Sequence, residues 1–307
     1  MPDAIVTNGL TKWYGSKCVV NQLSLRVPEG CVYGFLGRNG AGKSTTIKML
    51  TGMVHPDDGS ASLLGQDVTT MPPEMRQRIA YLAEGHPLYS WMTIDGLMRF
   101  VRPFYPAWNQ TLFDQIIEHF QLDRKKKIRH FSKGQMAQVS LALGVAPEPE
   151  LLILDDPTLG LDTVVRRDFL ESLIQIIQRR GRTIFISSHV LGDVERVADR
   201  IGVMVDGVLR VDCPTEQFKQ SVRKVVATFD TTPPMMPTCV GVLGSRPVGH
   251  TLELVVVGFG DDHRELLASL KPAPRAIDVL ELNLEDAFIE YTRGSRPPLP
   301  VFVGTDE

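Results

Sequence analysis

The sequence predicts an α/β fold with a central parallel sheet, followed by a smaller α+β domain. Short apolar segments at 31–36, 151–155 and 183–187 have the length and composition of buried strands, and helical patterns lie between them. A glycine-rich stretch, 37–44, joins the first of these strands to a helical pattern. Strands that alternate with helices in this way favour a parallel sheet, because each helix carries the chain back to the start of the next strand.

Antiparallel strands are predicted at both ends of this first domain. Residues 4–10 and 18–27 are rich in β-forming residues, and residues 56–68 place Asp and Gly between short apolar pieces, as hairpins do. An Asp-Gly pair between two apolar runs predicts another hairpin over 200–212. Together, the segments 4–10, 18–27 and 56–68 indicate an N-terminal antiparallel β subdomain.

The rest of the chain divides into segments that differ in the spacing of their apolar residues and in the length of their predicted elements. Helical spacing dominates the segment before the strand at 151, and an amphipathic helix is predicted over 164–179. Beyond residue 220 the elements are short, with a strand expected at 238–243 among others. The predicted organisation is a first domain at 1–220 with a helical subdomain at about 87–146, a small α+β domain at 221–293, and a Pro-rich flexible tail at 294–307.

Composition excludes several classes of protein. The 307 residues carry 33 basic and 36 acidic side chains, so that a net charge of −3 argues against a nucleic-acid partner. The four cysteines are far apart and form no C-x-x-C pair, which argues against a zinc site or a disulfide framework. The sequence shows no secretory signal at its start and no apolar run of the ~18 residues that cross a bilayer. Any membrane role is therefore expected to depend on a partner.

The strongest motif is a phosphate-binding loop. Gly37, Gly42, Lys43 and Ser44 have the spacing G-x-x-x-x-G-K-S between a strand and a helix. Glycines let backbone N–H groups turn towards a phosphate, the lysine reaches the β and γ phosphates, and the serine hydroxyl binds Mg²⁺. The helix N-terminus behind the loop also favours an anion. These residues predict a site for a Mg²⁺-bound nucleoside triphosphate.

A second motif is the acid that ends the apolar strand 151–155. Asp155 follows four apolar residues, and the carboxyl ends of parallel strands form the edge where such sheets bind ligands. A carboxylate there would hold Mg²⁺ through its water shell. With the phosphate-binding loop, Asp155 predicts a P-loop NTPase.

Three further motifs distinguish among P-loop proteins. They are FSKGQ at 131–135, DDPTLGLD at 155–162 and SSH at 187–189. In this order, after the glycine loop, they resemble the signature, the Walker B motif with its D-loop, and the H-loop of the ATP-binding subunits of ABC transporters. The resemblance covers about residues 4–220.

The resemblance implies roles for individual residues. Lys43, Asp156 and His189 would be catalytic: the lysine stabilises phosphate charge, Asp156 orients or polarises the attacking water, and His189 contacts the γ-phosphate. Tyr14, with Trp13 as a rival, would stack on adenine. The residues implied in binding ATP are Tyr14, Gly37, Asn39, Gly40, Ala41, Gly42, Lys43, Ser44, Thr45, Ser132, Gly134, Gln135 and Asp162, and those implied in binding Mg²⁺ are Ser44, Glu84 and Asp155.

Two positions depart from the usual pattern of the family. Asp156 stands where the family has a glutamate, one methylene longer, and a misplacement of about 1 Å costs ~10²-fold in rate. The expectation is a working but slower ATPase, with a non-hydrolysing site as the alternative. Glu84 stands where the Q-loop has a glutamine, and its carboxylate still suits Mg²⁺.

The resemblance extends to the ABC-2-type exporter branch. YLAE at 81–84, FSKGQM at 131–136 and the C-terminal VLELNLEDAFIEYT are similar to segments of those subunits. The implied function is an ATP-binding subunit, in a homodimer or pseudo-dimer, that drives export through a separate permease at the cytoplasmic face of the membrane. Ser132, Gly134 and Gln135 match the signature, which in the family contacts the γ-phosphate bound by the other subunit. Asp162 matches the D-loop residue that crosses the dimer interface.

Two alternatives remain at this stage. One is a non-transport ABC ATPase that regulates a soluble assembly, although such proteins usually carry two cassettes or a long coiled-coil insertion. The other is a small-molecule kinase, which would leave the FSKGQ segment unexplained. The cargo and the role of the C-terminal domain cannot be derived from these residues.

Overall fold

The computed structural model describes residues 2–178, 181–235 and 239–293. The chain divides into two units, Met1–Thr215 and Glu216–Glu307, a few residues before the boundary that the sequence predicts at 220. The predicted tail, 294–307, lies outside the described residues. Within the described part of the chain, no helix is long and apolar enough to cross a membrane.

The first sheet of the N-terminal unit is antiparallel, with the strand order β2-β1-β4-β5. Alternate residues of β2, including Leu23, Leu25 and Val27, are buried on one face, as expected for a sheet with one side on the core. The first predicted strand is longer than expected and continues to Tyr14. The strands are β1 Asp3–Tyr14, β2 Lys17–Pro28, β4 Asp58–Leu63 and β5 Gln66–Asp67.

The second sheet has six strands in the order β10-β9-β3-β8-β7-β6. All neighbouring pairs are parallel except β9 and β10, which form the predicted hairpin around Asp206 and Gly207, both with positive φ. The strands are β3 Val32–Gly37, β6 Ile79–Leu82, β7 Leu151–Asp155, β8 Thr183–Ser188, β9 Arg200–Val205 and β10 Val208–Pro214. Every residue of β3, β7 and β8 is buried, so the carboxyl ends of these three strands form one protected edge.

Seven helices surround these sheets in the described residues of the N-terminal unit. The predicted helical subdomain contains three of them, which begin after the cap residues Thr93, Asn109 and Ser132. The helices are α1 Lys43–Leu50, α2 Pro73–Arg76, α3 Ile94–Val101, α4 Gln110–His119, α5 Lys133–Val145, α6 Thr163–Gln178 and α7 Leu191–Glu195. One apolar cluster joins the antiparallel sheet to the parallel sheet, and it contains Leu25, Phe35 and Phe185.

The C-terminal unit is a four-stranded antiparallel sheet with the order β12-β13-β11-β14. Its core includes Val225, Leu254 and Leu267. The elements are α8 Thr215–Ser221, which spans the division between the units, β11 Val222–Thr228, β12 Val242–Val248, β13 Thr251–Val257, α9 Asp261–Ala268, β14 Ala276–Glu281 and α10 Leu284–Arg293.

The strand predicted at 238–243 lies later than expected, at Val242–Val248. Pro247 argues against a strand in sequence reasoning, because proline lacks the N–H group that a central strand donates. The structure places this segment at the edge of the sheet, where proline is tolerated.

Candidate functional site

The loop between β3 and α1 requires glycine at its two ends. Gly42 has φ 108°, and a Cβ atom there would lie 2.5 Å from the carbonyl oxygen of Val19. A Cβ atom at Gly37 would lie 2.7 Å from the carbonyl oxygen of Met204. Between them, Asn39 and Gly40 are exposed and Ala41 is buried, and Thr45 follows half-buried in α1. The loop therefore passes close to two neighbouring strands while its tip stays open to solvent.

Lys43 is the first residue of α1, and its ammonium group lies inside the loop. Its Nζ donates to the carbonyl oxygen of Gly37 at 2.7 Å, and the residue is only 7% exposed. Burial lowers the pKa of Lys43, while the carboxylates of Asp156, Asp155 and Glu84 act in the opposite direction. The cation is thus enclosed by backbone carbonyls and faced by three acidic groups.

Asp155 connects three segments at the carboxyl edge of the parallel sheet. Its Oδ1 accepts hydrogen bonds from Ser44 Oγ at 3.1 Å and from Ser187 Oγ at 2.9 Å. Ser187 lies in β8 and Ser44 in α1, so the carboxylate links the helix that follows the loop to the strand that pairs with both β3 and β7. The sequence pattern predicts no role for Ser187 beyond its place in the SSH segment, so this hydrogen bond to Asp155 was missed.

Asp156 is held in an uncommon backbone conformation. Its φ is 45°, in the left-handed region, and its N–H donates to Ser187 Oγ at 3.0 Å. His189 Nδ1 donates to Asp156 Oδ2, because an ionised carboxylate can only accept. The other oxygen, Oδ1, is buried and has no hydrogen-bond partner. The residue therefore presents one oriented, unused acceptor at the sheet edge.

The oxygen atoms at this edge are suited to Mg²⁺. Ser44 Oγ and Asp155 Oδ1 already lie side by side, and hard cations prefer oxygen ligands. The described residues contain no cluster of three or more His, Cys, Asp or Glu side chains with metal-binding geometry.

Glu84 follows β6 and is exposed to solvent. Its charge favours the cationic form of Lys43. Partial burial raises the pKa of Tyr81 to about 12, and the charges of Asp155 and Glu84 act in the same direction. The segment after β6 therefore belongs electrostatically to the same edge as Lys43 and Asp155.

The FSKGQ segment forms the N-terminus of α5. Ser132 Oγ accepts from the Gln135 N–H at 3.2 Å, and Gln135 Oε1 accepts from the Ser132 N–H at 3.1 Å. This reciprocal capping box satisfies two helix-terminal donors. A Cβ atom at Gly134 would lie 2.6 Å from Cγ1 of Val165, so only glycine fits at this contact with α6. The hydrogen bonds of Ser132 and Gln135 that the structure contains are thus local to the helix end.

Asp162 also makes local hydrogen bonds. Its Oδ1 accepts from the N–H groups of Val164 and Val165, at 3.1 and 3.0 Å, at the beginning of α6. Sequence reasoning singled out this residue for an interface and missed its capping role, although Asp before a helix is a known signal. One carboxylate oxygen, Oδ2, takes no part in these two bonds.

Tyr14 ends β1 beside Trp13, and about half of each side chain is exposed. Lys12 Nζ lies 5.8 Å from the centre of the Tyr14 ring. The structure therefore leaves both aromatic rings open to a flat ligand and does not choose between them.

The chain is similar to known ATP-binding proteins of transporters. A family model described as ABC transporter matches residues 20–159. The Nod factor export ATP-binding protein I of Burkholderia orbicola is 38% identical over 292 residues, which cover 92% of this chain and 94% of that protein. The ABC transporter ATP-binding protein YtrB of Bacillus subtilis is 29% identical over 287 residues, covering 94% of this chain and 97% of that protein.

Among solved structures, an ATP-binding subunit of an ABC transporter is similar to this chain with a TM-score of 0.64 and 27% identity. The similarity covers 71% of this chain and 92% of that one.

Proposed function

Because the chain belongs to the ATP-binding proteins of the ABC transporter family, we propose that it hydrolyses Mg²⁺-bound ATP in a head-to-tail dimer and so drives export through a separate permease. The single observation that supports this most is the meeting of Lys43, Asp155 and His189 at one sheet edge. These residues come from α1, β7 and the end of β8, and they surround the position where a loop of this kind binds phosphate.

Lys43 and Asp156 would have different roles in the hydrolysis of ATP. Water attacks the γ-phosphorus, the bond to the β–γ bridging oxygen breaks, and ADP and inorganic phosphate leave. Lys43 would move from the Gly37 carbonyl to phosphate oxygens and stabilise their charge. Asp156 Oδ1, which has no partner, would accept a hydrogen bond from the attacking water. The catalysis proposed is mainly positioning and electrostatic stabilisation.

His189 would hold Asp156 and reach the γ-phosphate at the same time. Its Nδ1 donates to Asp156 Oδ2, which leaves Nε2 as the ring atom for a phosphate oxygen. Phosphate oxygens only accept hydrogen bonds, so this contact requires a proton on Nε2 as well.

Ser44, Asp155 and Glu84 would hold Mg²⁺. Ser44 and Asp155 are hydrogen-bonded to each other, and Glu84 acts on the same lysine that Asp155 does. When bound, Mg²⁺ neutralises the charge that develops on the β and γ phosphate oxygens. Asp155 is oriented for this role by Ser187.

Asp156 supports turnover although it is shorter than glutamate. Its backbone N–H is bonded to Ser187 and its carboxylate to His189, so both ends of the residue are fixed. A short side chain that is held at both ends keeps its free oxygen in one place, and good positioning offsets the missing methylene. We therefore propose a working ATPase rather than a non-hydrolysing site.

The second half of each ATP site would come from another copy of the chain. Ser132, Gly134 and Gln135 form a helix N-terminus with small residues, which favours an anion. Asp162 would cross the interface with the oxygen that its capping bonds leave unused. A C2 dimer of this kind would contain two equivalent ATP sites, each between the phosphate-binding loop of one copy and the start of α5 of the other.

A row of exposed aromatic rings supports a membrane partner. Tyr89 contacts Trp91 and Phe100, and Phe100 contacts Phe104, with ring centres 4.9, 5.6 and 6.0 Å apart. Trp91 and Phe104 are both 61% exposed. A contiguous exposed apolar patch of this kind marks an interaction surface. It continues the segment that begins at Glu84, so we propose that a permease contacts it at the cytoplasmic face of the membrane.

The dimer is tested by an ATP-trapped variant. Asp156→Asn keeps the size of the side chain but weakens its acceptance of a proton from water, so we expect ATP to bind and hydrolysis to stall. Size-exclusion chromatography should then show a dimer with MgATP and a monomer with MgADP. A monomer under both conditions, with ATP bound, would contradict the head-to-tail arrangement.

A further inference from the structure

His86 is a buried histidine that none of the proposed roles uses. It lies two residues after Glu84, has φ 50°, and is 4% exposed. Its ring lies 6.4 Å from that of Phe169 in α6, measured between ring centres. A side chain with two polar nitrogen atoms in such a place needs a physical reason, since buried polar groups are destabilising unless they are hydrogen-bonded.

The ring makes one hydrogen bond, and its partner is next to Asp156. His86 Nε2 lies 2.9 Å from the carbonyl oxygen of Pro157. A carbonyl oxygen can only accept, so Nε2 carries the hydrogen. Nδ1 is buried without a partner, and burial lowers the pKa of His86, which favours the neutral imidazole. The bond therefore joins the segment of Glu84 directly to the backbone that follows Asp156.

The same turn is held from its other side by α7. Thr158 Oγ1 donates to Asp193 Oδ2 at 3.1 Å, and Asp193 lies in the helix that follows His189. Arg166 donates to the carbonyl oxygen of Leu161 at 3.1 Å, at the far end of the turn. His86 thus provides the contact from the Glu84 side, and Asp193 provides the contact from the His189 side.

From this arrangement we infer that His86 is a positioning residue for ATP hydrolysis: its Nε2–H bond to Pro157 sets the turn that orients the Asp156 carboxylate relative to Glu84. The inference rests on the proposed ATPase function. The residue touches neither the reacting atoms nor the nucleotide, and it acts through the Pro157 carbonyl. Loss of the bond frees the turn on one side, and a displacement of about 1 Å at a reacting group is enough to lower the rate by ~10²-fold.

Two substitutions of nearly equal shape isolate the hydrogen bond. Gln and Met side chains have similar length and flexibility, but only the Gln amide donates to a carbonyl oxygen. Both meet the same backbone cost at φ 50°. We expect His86→Gln to keep kcat within about threefold of the wild type and His86→Met to lose about tenfold or more, with the KM for MgATP changed less than about twofold in both.

His119→Met is the matched control. His119 is an exposed histidine whose Nε2 lies 3.3 Å from Ser172 Oγ in α6, so the change removes one histidine hydrogen bond that does not involve the turn after Asp156. Its kcat should equal that of the wild type. Steady-state hydrolysis by the full chain, ADP binding by calorimetry, and thermal unfolding are measured for every variant.

The outcomes separate this inference from the proposed function. If wild-type turnover does not depend on Lys43, the proposed ATPase fails before His86 is considered. If the wild type hydrolyses ATP and His86→Met turns over as fast as His86→Gln, the positioning role is wrong. It is also wrong if His86→Gln is as slow as His86→Met, or if neither variant folds, because a donor of the same reach would then fail to replace the imidazole.

Discussion

The two regions implied in binding ATP differ in where their hydrogen bonds go. Around the phosphate-binding loop, Ser44, Asp155, Ser187 and Asp156 bond to partners that are distant in sequence, and the bonds form one network. At the start of α5, the polar side chains bond to the backbone of their own helix end, as in the capping box of Ser132. One region is assembled by the tertiary fold, and the other by local helix capping.

This difference shows what a single copy of the chain provides. The network at the sheet edge brings a cation, a hydroxyl group and carboxylates together within a single chain. The start of α5 has the backbone geometry of an anion-binding helix end, and its polar side chains are held by hydrogen bonds within that helix end. This arrangement suits the proposed contact with an ATP molecule that is bound by another copy of the chain. The predictions below change one region at a time.

The largest effect is expected from Lys43→Ala. This change removes the cation that Asp155, Asp156 and Glu84 face, and with it the main countercharge for the γ-phosphate. We expect ATP turnover below about 1% of the wild type, since loss of one such group costs ~10²–10³ in rate. The measurement is steady-state phosphate release by the full chain. Unchanged turnover would contradict the assignment of the phosphate-binding loop.

Ser132→Asp tests the other region. Asp is as good an N-cap as Ser, so the helix should keep its stability and the melting temperature should stay within about 2 °C. A negative charge that faces a γ-phosphate should lower turnover by about 10²-fold. Ser132→Asn is the neutral control with the same capping ability. Equal turnover in all three proteins would show that Ser132 acts only as a cap.

A smaller effect is expected from Asp156→Glu. The added methylene restores the side-chain length usual in the family, while the left-handed backbone and the His189 contact remain. We expect kcat equal to that of the wild type or up to about tenfold higher. Single-turnover kinetics will measure the chemical step. A complete loss of turnover would mean that the site is shaped around the shorter carboxylate.

The smallest effect concerns stability at acidic pH. Burial lowers the pKa of His86 in the folded state below its ordinary value of 6.5, so below that pH the unfolded chain binds a proton that the folded chain does not. This part of the stability is present above pH 6.5 and is lost as the pH falls. Between pH 6.5 and 5, the melting temperature of the wild type should therefore fall more steeply than that of His86→Gln. Parallel curves would contradict the buried neutral imidazole.

The family and the fold were accessible from the sequence because their signals are local. A few neighbouring residues are enough to identify each motif: the loop 37–44, the acid that ends β7, and the SSH segment. The 38% identity with a relative over most of both chains confirms that the chain belongs to the ATP-binding proteins of the ABC transporter family. The mixed parallel sheet and the antiparallel β subdomain confirm the predicted fold class.

Contacts between residues that are distant in the chain could not be predicted from the sequence, because no local pattern indicates them. Nothing in the neighbours of His86 indicates a bond to Pro157, because that contact depends on how β6 and β7 pair. The hydrogen bond between Ser187 and Asp155 depends likewise on the register of β7 and β8, which places the two residues opposite each other. The strand predicted at 238–243 forms at Val242–Val248 instead, because its position depends on pairing with β13, which is distant information for a local pattern.

The central claim is that each ATP lies between Lys43 of one copy and Ser132 of another, and mixing two inactive variants tests it most directly. Lys43→Ala and Ser132→Asp are mixed in equal amounts, and ATP turnover is compared with that of each variant alone. In a head-to-tail dimer, half of the dimers are mixed and one of their two sites is intact, so turnover should recover to about a quarter of the wild type. If the mixture is only as active as the sum of its parts, each site is built within one chain and the claim is wrong.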